Sequence, residues 1–333
     1  MHNLATLLQE LGREEEAESM YRKALAGREA TLGPEHTSTL ISANNLAVVL
    51  KARSCQAEAE ALMWRVLRGR EATLGATHTS TLASLNNLAL LLESMGRHEE
   101  AEPLLRRALA GFEATQGDSH DSTLSIAGNL ATLLQALGRL DEAEPLMRRA
   151  LTGSREALGE SHPNSLAFCN NLAMLLKAAG RPEEAEPLIR SAVEGRTAVL
   201  GERHPSTLTS QVNLAAVLVE LDRDEEAEPL YREAARASEE ALGPMHTCTL
   251  TAINNLGMLL ARRPACSQEA ERLLKRALDG YGTTLGATHP DTRTTMLNLR
   301  EHLQASGKFE EAREMDALLD DSAALQPLQC SLM

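Results

Sequence analysis

The chain has 333 residues, of which 43% are hydrophobic but only 2% aromatic, with 21 Gly and 12 Pro. Leu and Ala must therefore build the core, which favours closely packed helices over strands. A formal net charge of −14 with no basic run excludes a nucleic-acid partner, and apolar runs such as 88–92 fall well short of the ~20 residues of a membrane span. The five cysteines (Cys55, Cys169, Cys248, Cys266 and Cys330) lie far apart without a CxxC pair. That pattern argues against a disulfide framework and a zinc site and fits a reducing, cytoplasmic location. The N-terminal residues 1–17 show no signal-peptide pattern.

In chain order, a first helix ends at Gly12 and a second closes at Gly33. Residue 1 falls inside that first helix, which is about two turns shorter than its later counterparts; this predicts a truncated first repeat. The same pair then recurs. Asn stands at 3, 45, 87, 129, 171, 213, 255 and 298, a period of 42 that becomes 43 once, through an extra residue in the turn 262–268. His36, His78, His120, His162, His204, His246 and His289 keep the same period.

The third pair shows the pattern. Leu85, Leu88, Ala89 and Leu92 form one apolar stripe, and Gly96 ends the helix. Acidic Glu99, Glu100 and Glu102 open the second helix at its positive dipole end, and Ala101, Leu104, Leu105, Ala108 and Leu109 share one face. Ala at 17, 59, 101, 143, 185, 227, 270 and 312 sits where the two helices would cross, its small size allowing a close approach. Pro103, Pro145, Pro187 and Pro229 lie near the first turn, where a missing N–H costs least. In the last pair Arg300 and His302 replace small or apolar residues, which reads as a polar cap, and 321–333 reads as a flexible tail. Residues 1–320 thus form a single repeat array, and one hairpin has too little core to stand without its neighbours.

Leu-Ala, Gly, Ala and Ala at these offsets resemble the tetratricopeptide repeat. The phrases at 84–124 and 169–208 (SLNNLALLLESMGRHEEAEPLLRRALAGFEATQGDSHDSTL and CNNLAMLLKAAGRPEEAEPLIRSAVEGRTAVLGERHPSTL) are similar to the 42-residue variant of kinesin light chains and the nephrocystin family. Two features depart from those relatives: Leu replaces most of the large aromatics of the short repeat, and the heptad segment of kinesin light chains is absent. The implied fold is all-α, a right-handed α-solenoid of about eight antiparallel helical hairpins.

Chemistry finds little support in the residues. The periodic histidines each start a helix and are too far apart to share a metal ion, so they read as loop anchors or caps. The recurring LG-xx-H lacks the phosphate-loop pattern, and Ser, His and Asp in 118–122 are too close in one loop to assemble a triad. No enzyme, cofactor or metal site is expected.

Asn45, Asn87, Asn129, Asn171, Asn213 and Asn255 are the candidate peptide-binding residues. The resemblance places them on the concave face. An amide donates and accepts at once, so a row of them suits an extended peptide backbone; alternatively each Asn bonds the neighbouring repeat and fixes stacking. The same face carries Thr6, Val48, Leu90, Thr132, Met174, Ala216, Met258 and Glu301, with Lys51, Lys177 and Arg262 as scattered cations. A neutral, weakly hydrophobic segment is the expected ligand. The predicted function is a monomeric, non-enzymatic scaffold that binds a peptide segment of a partner protein. The alternatives are a kinesin-light-chain-like cargo adaptor and a regulatory repeat fragment of a larger multidomain enzyme. The terminal Cys330-Ser331-Leu332-Met333 fits a prenylation signal at Cys330, which would add weak membrane association.

Overall fold

The computed structural model describes residues 13–53 and 55–324. Asn3 with the rest of the first helix expected from the sequence, and Cys330 with its terminal signal, lie outside the described residues. Within them are fifteen α-helices, one 3-10 turn and no strand.

Seven first helices alternate with eight second helices. The first helices are α2 (Thr37–Ala52), α4 (Thr79–Ser94), α6 (Asp121–Ala136), α8 (Pro163–Ala178), α10 (Pro205–Glu220), α12 (Thr247–Ala261) and α14 (Pro290–Ala305). The second helices are α1 (Glu14–Leu32), α3 (Gln56–Leu74), α5 (His98–Gln116), α7 (Leu140–Leu158), α9 (Pro182–Leu200), α11 (Asp224–Leu242), α13 (Ser267–Thr284) and α15 (Phe309–Ala324). The inserted residue is taken up by the 3-10 turn Pro264–Cys266, so the register of both flanking helices survives. The chain divides into two compact units, 1–168 and 169–333, with the boundary inside α8. Within each unit helices pack mainly on their chain neighbours and, more lightly, first helix on next first helix, as α4 on α6 and α10 on α12.

The periodic histidines start the first helices. In each, His Nδ1 accepts a hydrogen bond from the backbone N–H two residues on, at 3.1–3.2 Å, from His36 to Ser38 through His289 to Asp291. One of the orphan donors of a helix start is thereby satisfied. A Thr hydroxyl then ties the helix to the preceding turn: Thr39, Thr81, Thr123, Thr249 and Thr292 donate to the carbonyls of Gly33, Gly75, Gly117, Gly243 and Gly286 at 2.8–2.9 Å. These turn glycines have positive φ, 88° at Gly117, which a residue with a Cβ adopts only at a cost.

The core follows the small residues. Ala17, Ala59, Ala101, Ala143, Ala185, Ala227 and Ala270 are fully buried and Ala312 nearly so. On the opposite side of the hairpin Gly153 of α7 lies against Leu124 of α6 so closely that an added Cβ would stand 2.8 Å from both Leu methyls. In the last hairpin His302 is buried with Nε2 3.1 Å from the Ser267 carbonyl of the preceding hairpin, while Arg300 pairs with Asp316 at 3.3 Å.

The outer edges of the second helices are joined by ion pairs. Arg22, Arg106, Arg232 and Lys275 each bridge a Glu four residues earlier and an acid of the next second helix, at 2.6–2.9 Å. A base in the following turn (Arg53, Arg139, Arg263 or Lys308) joins the same first acid, Glu18, Glu102, Glu228 or Glu271. Exposed pairs of this kind contribute little singly, about 0–1 kcal/mol, but they recur at every hairpin step so described.

Candidate functional site

Each first helix presents its Asn half-buried, and in four of the seven described first helices a second Asn (Asn44, Asn86, Asn170 or Asn254) stands one residue earlier. The structure shows where the amides go. Asn87 Nδ2 donates to Asn44 Oδ1 at 3.5 Å and Asn129 Nδ2 to Asn86 Oδ1 at 2.8 Å in the first unit. In the second unit Asn213 Nδ2 donates to Asn170 Oδ1 at 3.1 Å and Asn298 Nδ2 to Asn254 Oδ1 at 3.2 Å. Within a helix, Asn44, Asn170 and Asn254 in turn donate to Asn45, Asn171 and Asn255. The two asparagines of a repeat therefore make a chain of amides that runs from one first helix to the next.

Two members are different. Val212 stands 43 residues before Asn255 and offers no side-chain acceptor; the Asn255 amide bonds the Tyr231 hydroxyl, which burial pushes well above the usual phenol range. Gly128 stands 43 residues before Asn171. Asn171 accepts from Asn170 at 3.1 Å, and its own Nδ2 has no partner among the described residues. Sequence reasoning singled out the periodic Asn but missed its acceptor; the signal lay in the preceding residue, Asn at 44, 86, 170 and 254 but Gly at 128 and Val at 212.

The surrounding face is neutral in effect. Lys51 Nζ donates to the Leu90 carbonyl at 3.0 Å, and burial pushes its amine down despite nearby Glu93. Lys177 lies 3.4 Å from Glu220, and Arg262 pairs with Asp224 at 3.0 Å and Asp222 at 3.4 Å. All three cations of the first-helix face are thus engaged. Between them Val48 is exposed and Leu90, Thr132, Met174, Ala216 and Met258 are half-buried. Among the described residues no three His, Cys, Asp or Glu side chains gather as metal ligands, and no helix is long and apolar enough to cross a membrane.

The tetratricopeptide repeat family profile matches residues 1–63, 53–114, 122–196, 166–240, 209–281 and 248–317. The chain belongs to the tetratricopeptide repeat family. A solved chain from Podosopora anserina, described as a kinesin light chain with nearly identical TPR-like repeats, is 30% identical, with a TM-score of 0.54 over 62% of this chain and 99% of that one. BtubC (BKLC) from P. vanneervenii is 22% identical over 76% of this chain and 95% of its own, with a TM-score of 0.52. The apo quorum sensor NprR from B. thuringiensis shares the fold at a TM-score of 0.68, covering 97% of this chain and 87% of its own at 13% identity. No curated protein matches the chain.

Proposed function

We propose that the protein is a non-enzymatic scaffold whose first-helix face holds an extended, neutral and weakly apolar peptide segment of a partner protein. The second unit is the part best equipped for this. Asn171 keeps an amide able to bond a peptide backbone, while Met174, Ala216 and Met258 supply half-buried apolar contact three residues past successive ladder positions. Met side chains adapt to varied partners. Because Lys177 already faces Glu220, no cation of this face favours an acidic segment. The observation that carries the reading is the open Asn171 amide, where the corresponding Asn87, Asn129, Asn213, Asn255 and Asn298 amides bond protein groups. NprR, which shares the fold, is itself a quorum sensor.

The test is to pan a phage-displayed library of random dodecapeptides on the whole chain, then to titrate a selected peptide against single variants. Neutral, apolar sequences should be enriched. Asn171→Ala should weaken the selected peptide roughly three- to tenfold, the worth of one net hydrogen bond, with the helical circular-dichroism signal unchanged and a small drop in melting temperature because the Asn170 amide loses its acceptor. Asn213→Ala should lower the melting temperature, because it removes a bond between repeats. Enrichment of acidic peptides, no enrichment above background, or full affinity in Asn171→Ala would each overturn the reading.

A further inference from the structure

The ion-pair ladder on the second helices has one irregular step. Where Arg22, Arg106, Arg190, Arg232 and Lys275 stand in other repeats, α3 carries Trp64, the one tryptophan of the chain. In a regular step two acids meet two bases: Glu102 and Glu142 meet Arg106 and Arg139, each within 2.6–2.9 Å of a partner. At the Trp64 step the acids remain. Glu60 and Glu100 share the single guanidinium of Arg97, at 2.7 Å each, and Trp64 Nε1 gives Glu60 only a 3.3 Å hydrogen bond. One positive charge is missing, and Glu100 stays about half exposed.

Beside Trp64 opens a cavity of about 660 Å³ between α3 and α5, floored by Leu67 and Leu104. That volume lies in the range of small-ligand sites. Its far edge is Arg68, one turn along α3, whose Nε turns back to the Trp64 carbonyl at 3.4 Å and which has no carboxylate partner among the described residues. The cavity's remaining charges, Glu71 and Arg107, neutralise each other at 2.5 Å.

We propose that this step is a docking site for a single arginine or lysine carried on an apolar segment of a partner protein. The partner's cation stands in for the base that other steps carry at this position, approaching Glu60 and the half-exposed Glu100 from the side away from Arg97 and lying against the Trp64 ring, where a guanidinium gains from both the carboxylates and the ring quadrupole. The flanking apolar side chains cover Leu67 and Leu104. Arg68 repels a second base, so one basic residue in an apolar context fits and a polybasic run does not. Trp and Arg are the residue types over which binding energy concentrates at protein interfaces. This surface lies on the second helices and is independent of the Asn face.

Because Trp64 is the sole tryptophan, its fluorescence reports this site alone. The whole chain is titrated at low salt with N-acetyl-Leu-Arg-Leu-amide and its Gln and Glu counterparts. The Arg peptide should give a saturable change and bind about tenfold tighter than the Gln peptide, the combined effect of a cation–π contact and an exposed ion pair. Glu60→Gln with Glu100→Gln should reduce that preference to what the Trp64 ring alone supplies. Trp64→Arg completes the ladder; it should melt at a higher temperature and no longer raise the anisotropy of a fluorescein-labelled Arg peptide. Asn171→Ala should bind the Arg peptide normally, which separates this result from the fate of the first-helix face. Equal binding of the Arg and Gln peptides, tightest binding of the Glu peptide through Arg68, or no saturation would overturn the proposal.

Discussion

Glu93 of α4 shows how one buried charge tunes this fold. Burial pushes its carboxyl above the usual carboxylate range, and His98 and Lys51 only partly pull it back. The folded state therefore binds this proton more tightly than the unfolded chain does. Stability from this site is present below the ordinary Glu pKa and is lost as pH rises through the raised folded value. Glu93→Gln, which cannot ionise, should raise the melting temperature by roughly 1–3 °C at pH 7.5, and the gain should vanish near pH 4. Circular-dichroism melts at the two pH values check this. A Gln variant that melts lower at pH 7.5 would mean that attraction to Lys51 and His98 outweighs desolvation. At this scale the sequence was informative where a side chain acts on its own backbone and less so where it acts across repeats. The histidines read as caps or loop anchors because Nδ1 reaches an N–H two residues away. The ladder Asn could be read two ways because its partner lies 43 residues off, and only the residue preceding each Asn decides whether an acceptor is there. Asp222, with φ of 55°, fills without glycine a turn that Gly96, Gly138, Gly180 and Gly307 fill elsewhere.

Within a hairpin, the two helices are held close by what their residues lack. Ala at the crossing was legible from periodicity, since small residues recur on the apolar stripe. The second point of approach, glycine of the second helix against the leading Leu of the first, was not, because glycine inside a helix reads first as a weakness. Gly153 is packed on Leu124, whereas Gly282, near the end of α13, has no atom within 4 Å of where its Cβ would stand. The same substitution should therefore act oppositely. Gly282→Ala should stabilise by about 0.5–1 kcal/mol through helix propensity. Gly153→Ala gains that too, but overpacking a tight site costs ~1–3 kcal/mol, so a net loss of about 1 kcal/mol is expected. Urea unfolding of both variants measures the contrast, and equal stabilisation would show that Leu124 moves aside freely. The ion-pair ladder was also hidden at this level. EEAE runs read as solvated helix starts, and the pattern that links them, a base 36 residues before an acid, spans two helices rather than one.

Across the molecule, contacts reach mainly to the next helix and the next first helix, so stability should be a sum of hairpin and neighbour terms. The 42 residues 205–246 hold one full period, α10 with α11. Removing them joins His204 to Thr247, and the cap is kept because Cys248 again stands two residues beyond the new histidine. The amide ladder is also repaired: Asn255, which now has Val212 at the acceptor position, meets Asn170 instead. Arg190 faces Glu269, the acid that now pairs with Arg232, so the ionic step closes as well. The shortened chain should stay soluble and helical, with a lower melting temperature and a urea m-value reduced in step with the lost surface. Proteolysis of the intact and shortened chains under native conditions offers a second reading, since a mismatched junction would open near 204. Aggregation, or loss of helicity beyond the deleted share, would show that distant repeats depend on one another in a way that nearest-neighbour packing does not provide.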